Sequence, residues 1–192
     1  MTAAMSTPHP GSPPTGELPF FVYGTLLPGE PNHELFLRGR TTGERPAVLP
    51  RALLYDGPGY PYAIEGHGRV HGTLLTAVPG VYGELLGLLD HLEEYLGPGH
   101  PRNLYERVVR EIELPGESGE GADGPGRDRA VEGHPGHGRA EEGEGSAAGA
   151  GPVRAWVYLA AAAVTRSLRT GGSLIDGGRW VTGRPPGGPR TP

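Results

Sequence analysis

Apolar residues along the chain fall into short runs that are separated by turns rich in glycine and proline. Most runs are extended in character, because they are short and carry aromatic and β-branched residues. Segment 81–92 instead repeats apolar residues at spacings of three and four, which predicts a helix. The predicted strands cover residues 18–23, 47–55, 60–64, 69–76, 105–114 and 153–160.

Turns, and not regular helices, make most of the connections between these strands. Residues 65–68 carry a turn signal, and Pro50 indicates an edge strand or a bulge. A short helix at 33–38 can be capped by Asn32, and 164–168 forms a helical turn. This arrangement predicts an α+β fold with a mixed, curved sheet or partial barrel. It argues against a doubly wound parallel sheet.

Three segments lack any hydrophobic period. Residues 1–17 are rich in Pro, Gly, Ser and Thr, and residues 184–192 are rich in Pro, Gly and Arg. Residues 115–152 contain no aromatic residue. Such segments cannot bury enough apolar surface to offset the entropy lost on ordering. We therefore predict one folded domain at 18–183, interrupted by a disordered insertion at 115–152 and flanked by two disordered tails.

The composition narrows the classes of function. The formal net charge is −5 and all 17 basic residues are arginines, so no general basic surface for nucleic acid is expected. The absence of cysteine excludes disulfides, thiolate metal sites and cysteine nucleophiles. No apolar run has the length of a membrane span, and no signal peptide is recognisable. We expect a cytoplasmic protein without a membrane partner.

The segment at 20–29 is the first candidate for chemistry. An apolar strand runs into Tyr23-Gly24-Thr25-Leu26 and then into a Pro-Gly turn. Gly24 lets a ligand approach the main chain, and loop N–H groups can hold a carboxylate or a carbonyl oxygen. The alternative is an ordinary core strand followed by a turn.

Glu93 is the second candidate. It follows Leu89 by four residues at the C-terminal end of the predicted helix, where the helix dipole is unfavourable for a carboxylate. Partial burial would raise its pKa further, as a general acid/base near neutral pH requires. The alternative is a solvated glutamate at a helix end. Tyr105 and Arg107 alternate on one strand and could orient an acidic substrate, or form a cross-strand pair.

No metal or nucleotide site emerges from the remaining residues. His134 and His137 could pair on a metal, but they lie in the insertion without ordered ligands nearby. The other histidines have no ligand spacing, and neither a P-loop nor a nucleophile elbow is present.

Seven segments, taken together and in order, resemble the gamma-glutamylcyclotransferase-like superfamily, particularly its AIG2-like branch. Two departures stand out: Thr73 replaces a common Glu, and Glu94 stands where a Gly usually follows the catalytic glutamate. The matching segments are Val22-Tyr23-Gly24-Thr25-Leu26, Tyr60-Pro61-Tyr62-Ala63, Val70-His71-Gly72-Thr73-Leu74, Leu89-Asp90-x-x-Glu93, Tyr105-x-Arg107, Ala155-Trp156-Val157-Tyr158 and Ile175-x-x-Gly178-x-Trp180.

The resemblance implies a mixed five- or six-stranded barrel-like sheet with flanking helices and a cavity at the Tyr-Gly-Thr-Leu loop. It implies a cofactor-independent and metal-independent enzyme that cyclises a small gamma-glutamyl substrate to 5-oxoproline, with Glu93 as acid/base. The implied substrate-binding residues are Tyr23, Gly24, Thr25, Leu26, Tyr105 and Tyr158. The alternative is a non-catalytic ligand-binding or regulatory protein that keeps the cavity.

Overall fold

The computed structural model describes residues 16–115 and 151–181, which form five strands, two α-helices and two short helical turns. The strands are β1 (Phe20–Val22), β2 (Thr41–Tyr55), β3 (Tyr62–Ala77), β4 (Tyr105–Ile112) and β5 (Val153–Ala160). The helical elements are a π-helical turn (His33–Leu37), α1 (Tyr82–Leu92), α2 (Ala162–Gly171) and a 3₁₀ turn (Asp176–Gly178).

All five strands belong to one mixed sheet in the order β2-β3-β1-β5-β4. β1 pairs in parallel with β5, and the other pairs are antiparallel. The two outer strands meet again where Val48 of β2 and Glu113, just after β4, exchange two backbone hydrogen bonds of 2.9 Å. The sheet therefore curls into a barrel-like form, as predicted, and its centre is the short strand β1.

The strand period divides the core between the two faces of the sheet. Consecutive residues of β1 point to opposite faces, so Phe21 packs in one apolar cluster and Phe20 in the other. The first cluster contains residues of all five strands. The second contains Leu85 and Leu89 of α1, which are fully buried. Burial of this helix face against the sheet fixes where the end of α1 lies.

Several of the predicted strand boundaries are wrong. β2 begins at Thr41, six residues before the predicted start at 47. The turn expected at 65–68 is absent from the described chain, because β3 continues from Tyr62 to Ala77 and merges two predicted strands. Its glycines serve close packing instead. A Cβ on Gly66 would come within 2.5 Å of Leu53, and one on Gly68 within 2.8 Å of the Ala52 carbonyl. The edge position and the bulge expected from Pro50 are both present, the bulge at Arg51.

The helices follow the predicted periods. α1 begins one residue later than expected, and the short turn expected at 164–168 is a helix of 10 residues, α2. No helix in the part of the chain that the structure describes has the length and apolarity to cross a membrane. The predicted tails and insertion, with His134 and His137, fall almost entirely outside the described residues, so the domain division stays a prediction.

Candidate active site

A cavity of about 300 Å³ opens where β1 ends, and we call it the Glu93 cavity. Its lining comes from the loop after β1, the segment before β3, the end of α1 and the facing ends of β4 and β5. All seven residues singled out from the sequence line it: Tyr23, Gly24, Thr25, Leu26, Glu93, Tyr105 and Tyr158. Its size suits a small molecule.

The loop after β1 offers hydrogen-bond donors to the cavity. The Gly24 carbonyl accepts from the Leu27 N–H at 2.9 Å, which closes a tight turn. Among the described residues, no backbone carbonyl accepts from the N–H of Thr25 or Leu26. A Cβ on Gly24 would come within 2.7 Å of the Pro61 ring, so only glycine lets the loop lie this close to the segment before β3. Such N–H groups can bind a carboxylate or an oxyanion.

Glu93 caps the C-terminus of α1, and its side chain lines the same cavity. No described residue lies within ion-pair or hydrogen-bond distance of its carboxylate; its N–H donates to Leu89. Burial without a compensating partner raises the pKa of Glu93 from an ordinary 4.5 to about 7. The carboxyl group can therefore both accept and donate a proton near neutral pH.

Asp90, one turn before Glu93, has the opposite environment. Its carboxylate accepts from Arg107 at 2.7 Å and from the Tyr158 hydroxyl at 2.7 Å. Arg107 also stacks over the rings of Tyr95 and Trp156, at 5.0 and 4.8 Å from their centroids. Asp90 is thus occupied in holding α1 to β4 and β5, which leaves Glu93 as the carboxyl group of this helix end that is both buried and unpaired.

Three tyrosines surround Glu93, and each donates its hydroxyl proton to the protein. Tyr23 donates to the Tyr158 carbonyl at 2.5 Å, Tyr105 to the Pro61 carbonyl at 2.9 Å, and Tyr158 to Asp90. Burial raises the pKa of all three phenols, and the charge of Glu93 raises them further. Each phenol stays neutral, and its oxygen keeps a lone pair for an incoming donor.

The structure corrects the expectation for two residues. Arg107 does not line the Glu93 cavity, because Asp90 and two aromatic rings hold its guanidinium outside it. Asn32 makes no side-chain cap at the π-helical turn; its amide donates to the Thr25 hydroxyl at 3.1 Å and lines the cavity. The asparagine therefore supports the loop and not the helix.

Sequence reasoning did not place nine of the sixteen lining residues in the site, among them Tyr60, Pro61 and Leu104. The Tyr60-Pro61 pair precedes a strand and belongs to one of the segments with a family resemblance, which was the only available signal. Nowhere in residues 16–115 and 151–181 do three or more His, Asp or Glu side chains gather closely enough to hold a metal ion.

Comparison with known proteins identifies the family of this chain. Residues 20–125 match a family model described as gamma-glutamyl cyclotransferase, AIG2-like. A protein from Niallia circulans named gamma-L-glutamyl-butirosin B gamma-glutamyl cyclotransferase is 38% identical over 92 residues, which are 48% of this chain and 56% of that protein. A relative from Vibrio cholerae is 39% identical over 74 residues, which are 38% of this chain and 60% of that protein. The chain thus spans less than two thirds of both relatives.

Among solved structures, an AIG2-like protein from Mus musculus is similar in fold, and the alignment covers 75% of this chain and 77% of the mouse chain. The sequence identity is 20% and the TM-score 0.45. The family match spans β1 to β4, and so includes the loop after β1, Glu93 and Tyr105.

Proposed function

This chain belongs to the AIG2-like gamma-glutamyl cyclotransferase family, and we propose that it cyclises the γ-glutamyl group of a small γ-glutamyl amide to 5-oxoproline. The α-ammonium group of the substrate gives one proton to Glu93, and the resulting amine attacks the γ-carbonyl carbon of the same molecule. A new C–N bond closes the five-membered lactam and the original amide C–N bond breaks. The departing nitrogen takes up the proton from Glu93 and the second proton that the attacking nitrogen loses, so it leaves as an ammonium group. No nucleophile from the protein is required.

The observation that carries the proposal is the unpaired carboxyl group of Glu93, whose pKa burial raises to about 7. Glu93 takes the proton from the α-ammonium group and later gives a proton to the leaving nitrogen. One carboxyl group can do both, because its pKa lies near the working pH. The reaction therefore begins and ends with Glu93 in the same protonation state.

The rest of the cavity orients the substrate. The loop N–H groups of Thr25 and Leu26 hold the α-carboxylate or the developing oxyanion. The oxygens of Tyr105 and Tyr158, whose protons are already donated elsewhere, accept from the α-ammonium group. A cavity of about 300 Å³ folds the flexible glutamyl chain toward attack geometry, which replaces much of the entropic barrier.

The test is a panel of γ-glutamyl dipeptides and γ-glutamyl amines, with 5-oxoproline release as the readout. The panel includes γ-L-glutamyl-butirosin B, which the name of the Niallia circulans relative contains. We expect at least one compound to be cyclised, and Glu93→Gln to lower its kcat by a factor of about 10²–10⁴. The matched control is Glu84→Gln, which removes an exposed carboxylate from the same helix, outside the cavity.

Two results would overturn the proposal. One is parent-level turnover by a folded Glu93→Gln variant. The other is no release of 5-oxoproline from any compound, together with thermal stabilisation by one of them. That second result would instead identify a ligand-binding protein that keeps the cavity without the reaction.

A further inference from the structure

The end of α1 has an unusual residue at a position that glycine normally occupies. The Tyr95 N–H donates to the Asp90 carbonyl at 2.9 Å, and the Glu94 N–H donates to the His91 carbonyl at 3.3 Å. These two bonds make up a Schellman motif, in which the first residue after the cap has a left-handed backbone. That residue here is Glu94, with a φ of 50°.

The β-carbon of a glutamate makes this backbone conformation unfavourable, and glycine would avoid the cost. Glu94 is one of only two non-glycine residues with a positive φ in the part of the chain that the structure describes. The hydrogen bonds of the motif come from the main chain and would form equally well with glycine. A role for the residue must therefore lie in its carboxylate.

The Glu94 side chain belongs to the rim of the Glu93 cavity. Glu94 lines the cavity but is exposed, whereas Glu93 beside it is largely buried. Tyr60 lines the same cavity as Glu94, and its hydroxyl accepts from the Tyr62 hydroxyl at 3.3 Å. Burial and Tyr60 raise the pKa of Tyr62, and the charge of Glu94 adds to that rise. Its carboxylate has no ion-pair partner among residues 16–115 and 151–181.

The charges around the mouth have one sign. Of the described residues that line the Glu93 cavity, two are glutamates and none is an arginine or histidine. The glutamyl part of a substrate must reach Glu93, so the leaving amine extends toward the mouth. A cationic group there meets an unpaired carboxylate, and an anionic group meets repulsion.

Resting on the proposed cyclisation, we propose that Glu94 is a specificity-determining residue that selects γ-glutamyl amides whose leaving amine carries a further positive charge. The substrate class is then the mono-γ-glutamyl amide of a diamine or polyamine. γ-Glutamyl dipeptides with a free carboxylate on the leaving group are disfavoured by the same charge.

The test compares two substrates that differ only in one charge. γ-Glutamylputrescine carries a free ammonium group, and γ-glutamyl-pentylamine carries a methyl group in its place. We expect the parent to favour the ammonium compound by a factor of about 5–10 in kcat/KM, and this ratio to fall as salt is added. In both Glu94→Gln and Glu94→Gly the ratio falls to about one, whereas the control Glu84→Gln keeps the parent ratio.

A binding measurement separates this proposal from the proposed reaction. Calorimetry on Glu93→Gln gives the Kd of both compounds without any turnover, and Glu93→Gln/Glu94→Gln gives the effect of the rim charge on the two Kd values. Parent turnover without a preference for the ammonium compound, or a preference that survives Glu94→Gln, would overturn the role of Glu94 and leave the reaction standing. Absence of turnover, with the Kd preference lost in the double variant, would overturn the reaction and leave the role of Glu94 standing.

Discussion

A second cavity, of about 420 Å³, lies among β2, β3, β4 and α2, and its lining differs from that of the Glu93 cavity. We call it the arginine cavity, because Arg51, Arg110 and Arg169 contribute to its lining. Two acidic residues, Glu65 and Glu111, also line it. The Glu65 carboxylate accepts from Arg110 at 2.5 Å, and the Glu65 carbonyl accepts from Arg169 at 3.3 Å. The Glu93 cavity has no arginine among its described lining residues, and it has three buried phenols.

This difference shows that the larger volume of a cavity does not by itself make it the better candidate for an active site. In the larger cavity, the exposed carboxylate of Glu65 is paired with Arg110 near solvent. The smaller cavity surrounds one buried, unpaired carboxyl group, that of Glu93, with tyrosines that donate their hydroxyl protons to other groups of the protein. A buried and uncompensated acid is costly for stability, and it is the group that proton transfer requires.

The largest expected effect is a difference in unfolding free energy between breaking the Asp90–Arg107 pair and breaking the Glu65–Arg110 pair. The Asp90 and Arg107 side chains are 24% and 17% exposed, whereas Glu65 is 67% exposed in its pair with Arg110. Asp90→Ala leaves the Arg107 guanidinium without its partner in a largely buried place, and we expect it to lower the free energy of unfolding by about 3 kcal/mol. Glu65→Ala should cost less than about 1 kcal/mol. Urea denaturation measures both, and equal losses would contradict the comparison.

The next effect concerns the stability cost of Glu93 itself. Its pKa is raised in the folded state, so the folded protein binds a proton more tightly than the unfolded chain between an ordinary 4.5 and about 7. The free energy of unfolding of the parent therefore falls as the pH rises through that window, and Glu93→Gln lacks this loss. From about pH 4 to about pH 8, the variant should gain about 2–3 kcal/mol relative to the parent.

Denaturant unfolding at the two pH values decides this point. If the unfolding free energies of Glu93→Gln and the parent differ by the same amount at both pH values, Glu93 is not an uncompensated acid in the folded protein. The gain should disappear in the presence of a ligand that binds the ionised form of Glu93, because binding restores a partner to the carboxylate.

Local patterns in the sequence were enough to predict much of the fold. The short apolar and aromatic run of β5 and the three-and-four spacing in α1 are local features of the sequence, and both elements agree with the structure to within a residue. The continuity of β3 was not predictable in this way, because Gly66 and Gly68 signal a turn locally. Only their close packing against Leu53 and Ala52 of the neighbouring strand β2 explains these two glycines.

The candidate site shows the same division. The loop after β1 and Glu93 could be singled out from residue types and spacing alone. The sequence could not show which acid Arg107 would bind, since Asp90, Glu93 and Glu94 are all close to each other along the chain. The fold brings Arg107 to Asp90, and this one long-range pairing leaves Glu93 unpaired.

A smaller effect is expected from adding a methyl group to each cavity. Gly24→Ala brings a Cβ within 2.7 Å of the Pro61 ring and displaces the loop whose N–H groups we propose to bind the substrate. We expect kcat/KM to fall by about 10–100-fold. Gly66→Ala is the matched control, because Gly66 lines the arginine cavity and its new Cβ would come within 2.5 Å of the Leu53 side chain. It should lower the melting temperature and change kcat/KM by less than about threefold. Similar losses of activity in the two variants would mean that the loop has no special role.

The smallest effect uses a feature that the two cavities share. Each has one non-glycine residue with a positive φ in its lining, Glu94 at 50° in the Glu93 cavity and Arg51 at 55° in the arginine cavity. Glycine relieves the backbone strain at both positions, and we expect Glu94→Gly and Arg51→Gly each to raise the free energy of unfolding by about 0.5–1 kcal/mol. Paired denaturation curves measure the two gains.

The two glycine variants should differ in activity although their stability gains are alike. Arg51→Gly should keep the parent's preference for a cationic leaving amine, since its cavity takes no part in the reaction. Glu94→Gly should abolish that preference while stabilising the protein, because it removes the strain and the rim carboxylate together. If both variants keep the preference, the strained backbone at Glu94 has no connection with substrate choice. If both lose it, the two cavities are coupled and the division between them is wrong.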